Sequence, residues 1–352
     1  MLGARADRKV AISEPLPADS PDPSRKVAQG LKLGDEHLTS PNQLGAPTQK
    51  MMLLGAVLVT YKRPVELGRS LDAFAGQTVG RHHLVLVDNA DDSRVRSLLE
   101  AFSARTGMEV TYLASKENLG PAGGFAWGLA TLSKRLSGDD WVLLLDDDDP
   151  LPHPGILQRL LTSRQNLVGS GVRLGGIGMK GARFDRRRLR TRSVAHLNGG
   201  LIEVDHLHGG FAPIYRLQAL WDSAGFRPEL FWGFEELDVG LRITRAGWRL
   251  FADTEALRTI GGSSKLTAVS ERPQWKTRGW SPRRYYTLRN LMLISLEHCR
   301  RRDVIRVMFI RCLAKPVFNL ILHPFRAFQE LRCNLLAFRH ARRRTLGRTI
   351  EL

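Results

Sequence analysis

Four consecutive aspartates, Asp146 to Asp149, close the apolar run "WVLLLD" in a chain of 352 residues whose net charge is +18. Like charges at neighbouring positions repel, so the run implies a positive partner. Oxygen donors at alternate positions suit a hard divalent cation such as Mg2+ or Mn2+. Such a cation, set beside a phosphate, neutralises the charge that develops on a leaving diphosphate. The competing reading is a solvated acidic loop. Against it, the aspartates follow directly on a buried strand, so the first of them cannot spread freely into water.

Two further stretches carry chemistry. "ENLGPAGGFAWG" (117–128) has glycines at 120, 123 and 124 and a helix start marked by Pro121. Glycines admit close approach of backbone, and a helix N-terminus offers free N–H groups to an anion. A capped glycine-rich loop without a ligand explains the same residues. "ELFWGFEELDVGLRITRAGWRL" (229–250) sets Glu235 and Glu236 behind Phe231, Trp232 and Phe234. In apolar surroundings a carboxylate holds its proton to higher pH, toward the range useful to a general base. Acidic residues in a first helical turn also complement the dipole, and Asp238 is assigned to an i,i+4 pair with Arg242.

These residues need a frame that brings them together. "LGAVLVTY" (54–61), "HLVLVDN" (83–89), "VTYLA" (110–114) and "WVLLLD" (141–146) read as buried strands, with helical periodicity after Pro64 and over 122–136. Continuous apolar strands alternating with helices predict an α/β fold, a largely parallel sheet with helices on both faces. Ligands bind such sheets beyond the carboxyl ends of the strands. Thr60, Tyr61, Asp88, Asn89, Asn118 and the aspartate run all fall there.

Composition bounds the rest. A hydrophobic fraction of 43% is that of a globular protein. Cys299, Cys312 and Cys333 show no metal-ligand spacing, and an odd count argues against a disulfide framework. Residues 1–50 lack the apolar core of a signal peptide and read as a disordered leader, followed by a domain over 51–298. Neither a G-x-G-x-x-G dinucleotide fingerprint after the first strand nor a G-x-x-x-x-G-K-[ST] phosphate loop occurs.

The set "VLVTYKRP", "LVLVDN", "ENLGPAGGFAWGL", "WVLLLDDDDPLPHP", "FWGFEELDVGLR" and "YYTLRN" resembles the nucleotide-sugar glycosyltransferases of family 2, which have the GT-A fold. Within that family it looks most like bacterial galactofuranosyl- and rhamnosyltransferases of cell-wall polysaccharide assembly. The resemblance implies that Thr60, Tyr61, Arg63 and Asp88 line the nucleotide pocket, and that Asn118, Gly120 and Gly124 lie along the nucleotide-sugar. It makes Asp147 and Asp149 the metal ligands, with Asp148 between them and Asp146 as an extra. Arg289 of "YYTLRN" joins the substrate-binding set. Glu236, seconded by Glu235, becomes the base that deprotonates the acceptor hydroxyl in an inverting transfer. One departure stands out. Where relatives often carry a metal-ligating histidine, "EALRTIGGSSKL" (255–266) has Arg258 and Thr259.

Residues 299–352 form a basic tail. From Arg300 onward it carries thirteen Lys and Arg against three acidic residues, with apolar residues interleaved and no uncharged span of bilayer length. The expectation is an amphipathic region on an anionic membrane surface, at the cytoplasmic face of the plasma membrane. That fits a lipid-linked or glycan acceptor and a UDP- or dTDP-linked donor. Nucleic acid is the rival partner, since a strongly basic chain suits phosphate backbones; no recognised nucleic-acid module supports it. Two other function classes stand beside the transferase. A nucleotidyltransferase has no need of the 235–236 pair, and a non-catalytic binding protein leaves the strand-end polar residues unexplained.

Overall fold

A computed structural model describes residues 11–12, 54–79, 83–195, 200–260, 281–314, 316–318 and 324–350. Its elements run β1 (Ala11–Ile12), β2 (Leu54–Thr60), α1 (Pro64–Ala75), β3 (His83–Asp88), α2 (Ser93–Thr106), β4 (Val110–Ala114), α3 (Gly120–Leu132), β5 (Trp141–Asp146) and α4 (Ile156–Gly169). There follow β6 (Leu174–Gly178), β7 (Gly181–Asp185), β8 (Arg190–Ser193), β9 (Leu201–Val204), β10 (His206–Leu207), β11 (Ile214–Arg216) and α5 (Leu217–Asp222). The chain continues through α6 (Glu235–Arg245), β12 (Arg249–Asp253), α7 (Thr254–Ile260), α8 (Pro282–His298) and α9 (Arg301–Phe309). A π-helical turn (Ile310–Ala314) and α10 (Pro324–Arg343) complete it. All four strands read from the sequence are present.

The main sheet has the order β1-β4-β3-β2-β5-β11-β6-β12-β9. From β1 to β5 every pairing is parallel, while β11 runs antiparallel to both β5 and β6. Alternation along β2 divides its side chains between two cores. Leu54, Ala56 and Leu58 face Leu67, Leu71, Phe74, Leu99 and Phe102 of α1 and α2. Val57 and Val59 face Phe125, Leu129 and Leu132 of α3. With both faces covered, the strand ends are the open part of the sheet, and Thr60, Asp88, Ala114 and Asp146 stand there side by side.

Two domain expectations change. Of the leader, Ala11–Ile12 pairs in parallel with Thr111 and Tyr112 at the sheet edge, so these two residues are strand; the others of residues 1–50 lie outside the described residues. The basic tail is helical as expected, yet it is no separate unit. Val304, Met308, Cys333, Ala337 and Ala341 share one core with Tyr285, Tyr286 and Leu291 of α8 and with Leu237 and Leu241 of α6. The tail's inward face is too apolar to stand apart from the domain. The three cysteines are unpaired, in line with the sequence.

Gly124 lies in α3 against β2, and a Cβ there would fall 2.6 Å from Val59 Cγ1. The glycine therefore serves helix–strand packing. Gly124→Ala is predicted to lower stability by about 1–3 kcal/mol through overpacking, read as a lower Tm, with nucleotide affinity of the folded protein unchanged. Weakened nucleotide binding at unchanged Tm would return Gly124 to the ligand.

Candidate active site

Beyond the end of β5 the aspartate run splits to two sides. Asp147 turns toward β2 and α1. Its Oδ2 accepts from Thr60 Oγ1 at 2.9 Å and from the Tyr61 N–H at 3.2 Å, and its Oδ1 from Arg63 Nη1 at 3.3 Å. Its carbonyl accepts from Ser70 Oγ at 2.8 Å. Arg63 also grips exposed Asp148. Thr60, Tyr61, Arg63, Asp147 and Asp148 are thus one hydrogen-bonded group, which takes in Asp147, expected from the sequence as a metal ligand. The Tyr61 ring stays partly exposed beneath the Lys62 ammonium, 5.2 Å from its centroid.

Asp146 and Asp149 turn the other way, toward Glu235 and Glu236 in the first turn of α6. The two glutamates meet them across the Gly209–Gly210 loop that follows β10. The Gly209 N–H donates to Glu236 Oε1 at 2.7 Å. A Cβ at Gly209 would collide with that oxygen and lie 2.8 Å from Asp146 Oδ2; one at Gly210 would collide with the Asp149 carboxylate. Only a bare backbone fits between these acids. The two expected metal ligands do not lie together: Asp149 lies with Asp146 beside the Gly209–Gly210 loop, whereas Asp147 faces the opposite side, where Thr60 and Arg63 engage it. The strand ends at Asp146 and the chain bends at 147–148, so strand alternation does not extend through the run and Asp149 returns to the side of Asp146.

The electrostatics follow from this convergence. Loss of water, then Asp149, Asp148 and Glu235, push Asp146 up to about 8. Burial, then Glu235 and Asp146, hold Glu236 well above the ordinary carboxylate range, with the Gly209 N–H opposing. Burial also raises Glu235, against backbone N–H bonds from its own residue and Gly233. Glu235 Oε2 is buried without a hydrogen-bond partner among the described residues. Tyr215, fully buried, has its phenol raised by burial and by Glu236. Carboxylate oxygens, one of them orphaned, are the ligand type that suits a hard divalent cation, although among the described residues Asp146, Asp149, Glu235 and Glu236 do not bring three such oxygens within 4.8 Å of one another. The tight cluster of Asp238, Glu297 and His298 is different, because Arg227 and Arg242 already bind Asp238. That keeps Asp238 in its structural role.

Other expected ligand residues have structural work. Asp88 is fully buried and accepts from the N–H groups of Ala90 (2.9 Å) and Asp92 (2.7 Å) and from Tyr112 OH (2.9 Å), so it shapes its own loop instead of offering a carboxylate to a base. Asn118 Oδ1 accepts the Gly120 N–H at 2.9 Å, opening α3. Gly120, at φ +68°, is where the Phe231 carbonyl presses on the chain; any Cβ would collide with it. Arg289 is fully buried and donates to the carbonyls of Leu230 (2.9 Å) and Gly347 (2.8 Å), so it is not a substrate ligand. Arg258 is exposed and paired with Glu255, and the rest of "GGSSKL" lies outside the described residues. His206 is buried, with its pKa lowered to about 4 by burial, which keeps it neutral. The Gly209–Gly210 loop and Asn290 were missed by sequence reasoning; "HGG" beside a polar strand end was the available signal for the loop.

Asp146 also yields a pH dependence. Unfolded, this carboxyl ionises near 3.8; folded and free of metal it keeps its proton to about 8. The folded state binds the extra proton throughout that interval, so this group's contribution to stability falls as pH rises and levels off above 8. In chelator, the Tm of wild type relative to Asp146→Asn is expected to drop between pH 5 and 8. A difference that is constant or grows with pH would contradict the crowding.

Comparison with known proteins places this site in a family. The family model described as "Glycosyltransferase like family 2" matches residues 54–278, well over half of the chain. Galactofuranosyltransferase GlfT1 of Mycobacterium tuberculosis (strain ATCC 25618 / H37Rv) is 45% identical over 108 residues, covering 30% of this chain and 34% of its own length. GlfT1 of Mycolicibacterium smegmatis is 43% identical over 109 residues, covering 30% and 33%. The matched stretch spans about a third of these relatives. Among solved structures, mannosyltransferase PcManGT from Pyrobaculum calidifontis, in complex with GDP-Man and Mn2+, aligns over 85% of this chain and 76% of its own, with 15% identity and a TM-score of 0.47. S. aureus TarS aligns over 83% and 55%, with 14% identity and a TM-score of 0.44. Membership of the family sets aside the nucleotidyltransferase and non-catalytic readings. With its parallel sheet, helices on both faces and acid cluster at the strand ends, the chain belongs to the family 2 glycosyltransferases and is an enzyme with the GT-A fold.

Proposed function

We propose that this enzyme is an inverting, metal-assisted glycosyltransferase that moves a sugar from a nucleoside diphosphate donor to a lipid-linked or glycan acceptor in cell-envelope polysaccharide synthesis. The observation that carries the reading is the meeting of Glu236 with Asp146 and Asp149 across the Gly209–Gly210 backbone. Base and cation ligands then share one cleft. Galactofuranose is favoured over rhamnose by the relatives' names, and UDP or dTDP is the expected carrier.

The chain's residues divide the chemistry. Thr60, the Tyr61 ring, Arg63, Asp147 and Asp148 receive the nucleotide on the β2 side. Asp149 and Asp146 would hold Mn2+ or Mg2+, which supplies charge neutralisation for the leaving diphosphate. Glu236 takes the proton of the acceptor hydroxyl. Its raised pKa makes it a stronger base than an exposed carboxylate, and the Gly209 N–H fixes which oxygen is offered. The acceptor oxygen forms its bond to the anomeric carbon as the carbon–diphosphate oxygen bond breaks on the opposite face. Inversion follows with no enzyme-bound sugar. Glu235 keeps the pocket acidic and is itself held by the Gly233 N–H.

The tail suits an acceptor presented at a bilayer. Ile305, Phe309, Phe325, Phe328 and Phe338 are 46–87% exposed, and Arg302, Arg306, Arg332 and Arg339 lie exposed among them. No helix among the described residues is long and apolar enough to cross a membrane. A basic face studded with aromatics fits the surface of an anionic bilayer, as on the inner face of the plasma membrane.

Two outcomes are expected. Glu236→Gln lowers turnover at least roughly a hundredfold, the scale of general-base catalysis, with nucleotide binding retained; near-normal turnover contradicts the assignment. The full chain sediments with phosphatidylglycerol vesicles and releases in high salt, and paired Phe325→Ser and Phe328→Ser substitutions weaken this at unchanged charge. Equal binding to neutral vesicles, or preference for nucleic acid over vesicles, contradicts the docking face.

A further inference from the structure

The loop that presents Glu235 and Glu236 is not self-supporting. Phe231 sits at φ 60°, Gly233 at φ 85° and Phe234 at φ 66°. Phenylalanine at positive φ is disfavoured, and two such residues persist only where their surroundings over-determine the backbone. Several carbonyls of this loop have no helix or strand partner, so their bonds must come from elsewhere.

They come from α8 and from the C-terminal segment. Asn290 Nδ2 lies 2.9, 3.0 and 2.8 Å from the carbonyl oxygens of Leu230, Trp232 and Gly233, and its two hydrogens are shared among the three. Arg289 Nη2 donates to Leu230 O at 2.9 Å, and its Nε to Asn290 Oδ1 at 3.0 Å, which orients the amide. The Gly347 N–H donates to Glu229 O at 2.6 Å, while Gly347 O accepts from Arg289 Nη1 at 2.8 Å. Next to it Thr349 Oγ1 bonds Tyr285 OH at 2.8 Å, and Tyr286 OH accepts the Ile350 N–H at 2.8 Å and donates to Ile350 O. The Tyr286 ring packs on Phe231 with centroids 4.9 Å apart, and the Arg289 guanidinium lies 4.9 Å over its centroid.

We infer that Gly347–Ile350, acting through Tyr286, Arg289 and Asn290, is a clasp that positions the glutamate-bearing loop for transfer. The inference rests on Glu236 being the base. Its physical route is short. Asn290 holds the Gly233 carbonyl, the N–H of the same residue bonds the Glu235 carboxylate, and Glu236 follows at once in the first turn of α6. A shift of the loop by a fraction of an ångström moves both carboxylates relative to Asp146, the last residue of β5, and Asp149 just beyond it. The hydrogen bonds of the Thr60–Asp147 nucleotide side run to β2, α1 and the turn between them, not to the clasp residues, among the described residues. A loosened clasp therefore slows transfer without weakening nucleotide binding. Tyr286, Arg289, Asn290 and the C-terminal residues are positioning residues; none of them touches the reacting atoms.

Tyr286→Phe removes one hydroxyl and its two bonds to Ile350 without adding bulk, and Thr349→Val removes the neighbouring one. Each is assayed in the full chain for kcat, donor KM, nucleotide affinity by calorimetry and Tm, with Glu236→Gln alongside. The expected result is a fall in kcat of roughly ten- to a hundredfold, the scale for misplaced catalytic groups, with donor KM and nucleotide affinity within twofold. Asn290→Ala, if folded, shows the larger loss, and Asn290→Gln does not restore it because the longer side chain moves the amide. Unchanged kcat in both hydroxyl variants while Glu236→Gln is inactive overturns the clasp and leaves the base in place. So does a loss of kcat matched by an equal loss of nucleotide affinity, the signature of a purely structural role. An active Glu236→Gln removes the underlying reading instead.

Discussion

Mutual repulsion among Asp146, Asp149, Glu235 and Glu236 is the constraint around which this fold is arranged. Burial raises the proton affinity of Asp146, Glu235 and Glu236, and neighbouring carboxylates raise it further at Asp146 and Glu236. A sequence that assembles such a group must hold it by force from outside. The sheet fixes one half, since β5 is flanked by β2 and β11 and cannot shift. The Gly209–Gly210 backbone fits between the two halves with no side chain and one well-placed N–H. In the proposed function, the residual charge is what would draw a cation to the site.

The other half is fixed differently. Glu235 and Glu236 open a helix that begins from strained backbone, so their placement depends on carbonyls satisfied from α8 and the last residues of the chain. This explains why the tail shares a core with α6 and α8 while its outer face stays apolar and basic. Inward, Cys333, Ala337 and Ala341 pack against the domain; outward, Phe325, Phe328 and Phe338 face solvent among arginines. One segment thus serves both the inside of the enzyme and its surface.

Much of this was legible in the sequence, for definable reasons. Strands buried on both faces read as unbroken apolar runs, so β2 to β5 and their polar ends were recoverable, and with them Thr60, Tyr61, Arg63 and the aspartates. The acidic pair stood out because aromatics precede it. What failed depended on direction and distance. Which aspartate joins Asp149 turns on the face each side chain takes after the strand, which "DDDD" does not encode. A glycine that admits a valine methyl or a carbonyl looks the same in sequence as one that admits a ligand, so the packing at Gly120 and Gly124 was not legible. Arg289 resembles a phosphate ligand until the carbonyls of Leu230 and Gly347, some sixty residues away on either side, are seen to surround it.

The central claim is that the convergent acids form a cation-dependent diphosphate site. It is tested most directly by calorimetric titration of UDP and dTDP into wild type and Asp146→Asn, each with Mn2+ and in chelator. The account predicts that one nucleotide binds wild type tightly only with the metal, and that Asp146→Asn loses this dependence together with the affinity. Equal binding in chelator, or an Asp146→Asn protein indistinguishable from wild type, would contradict it.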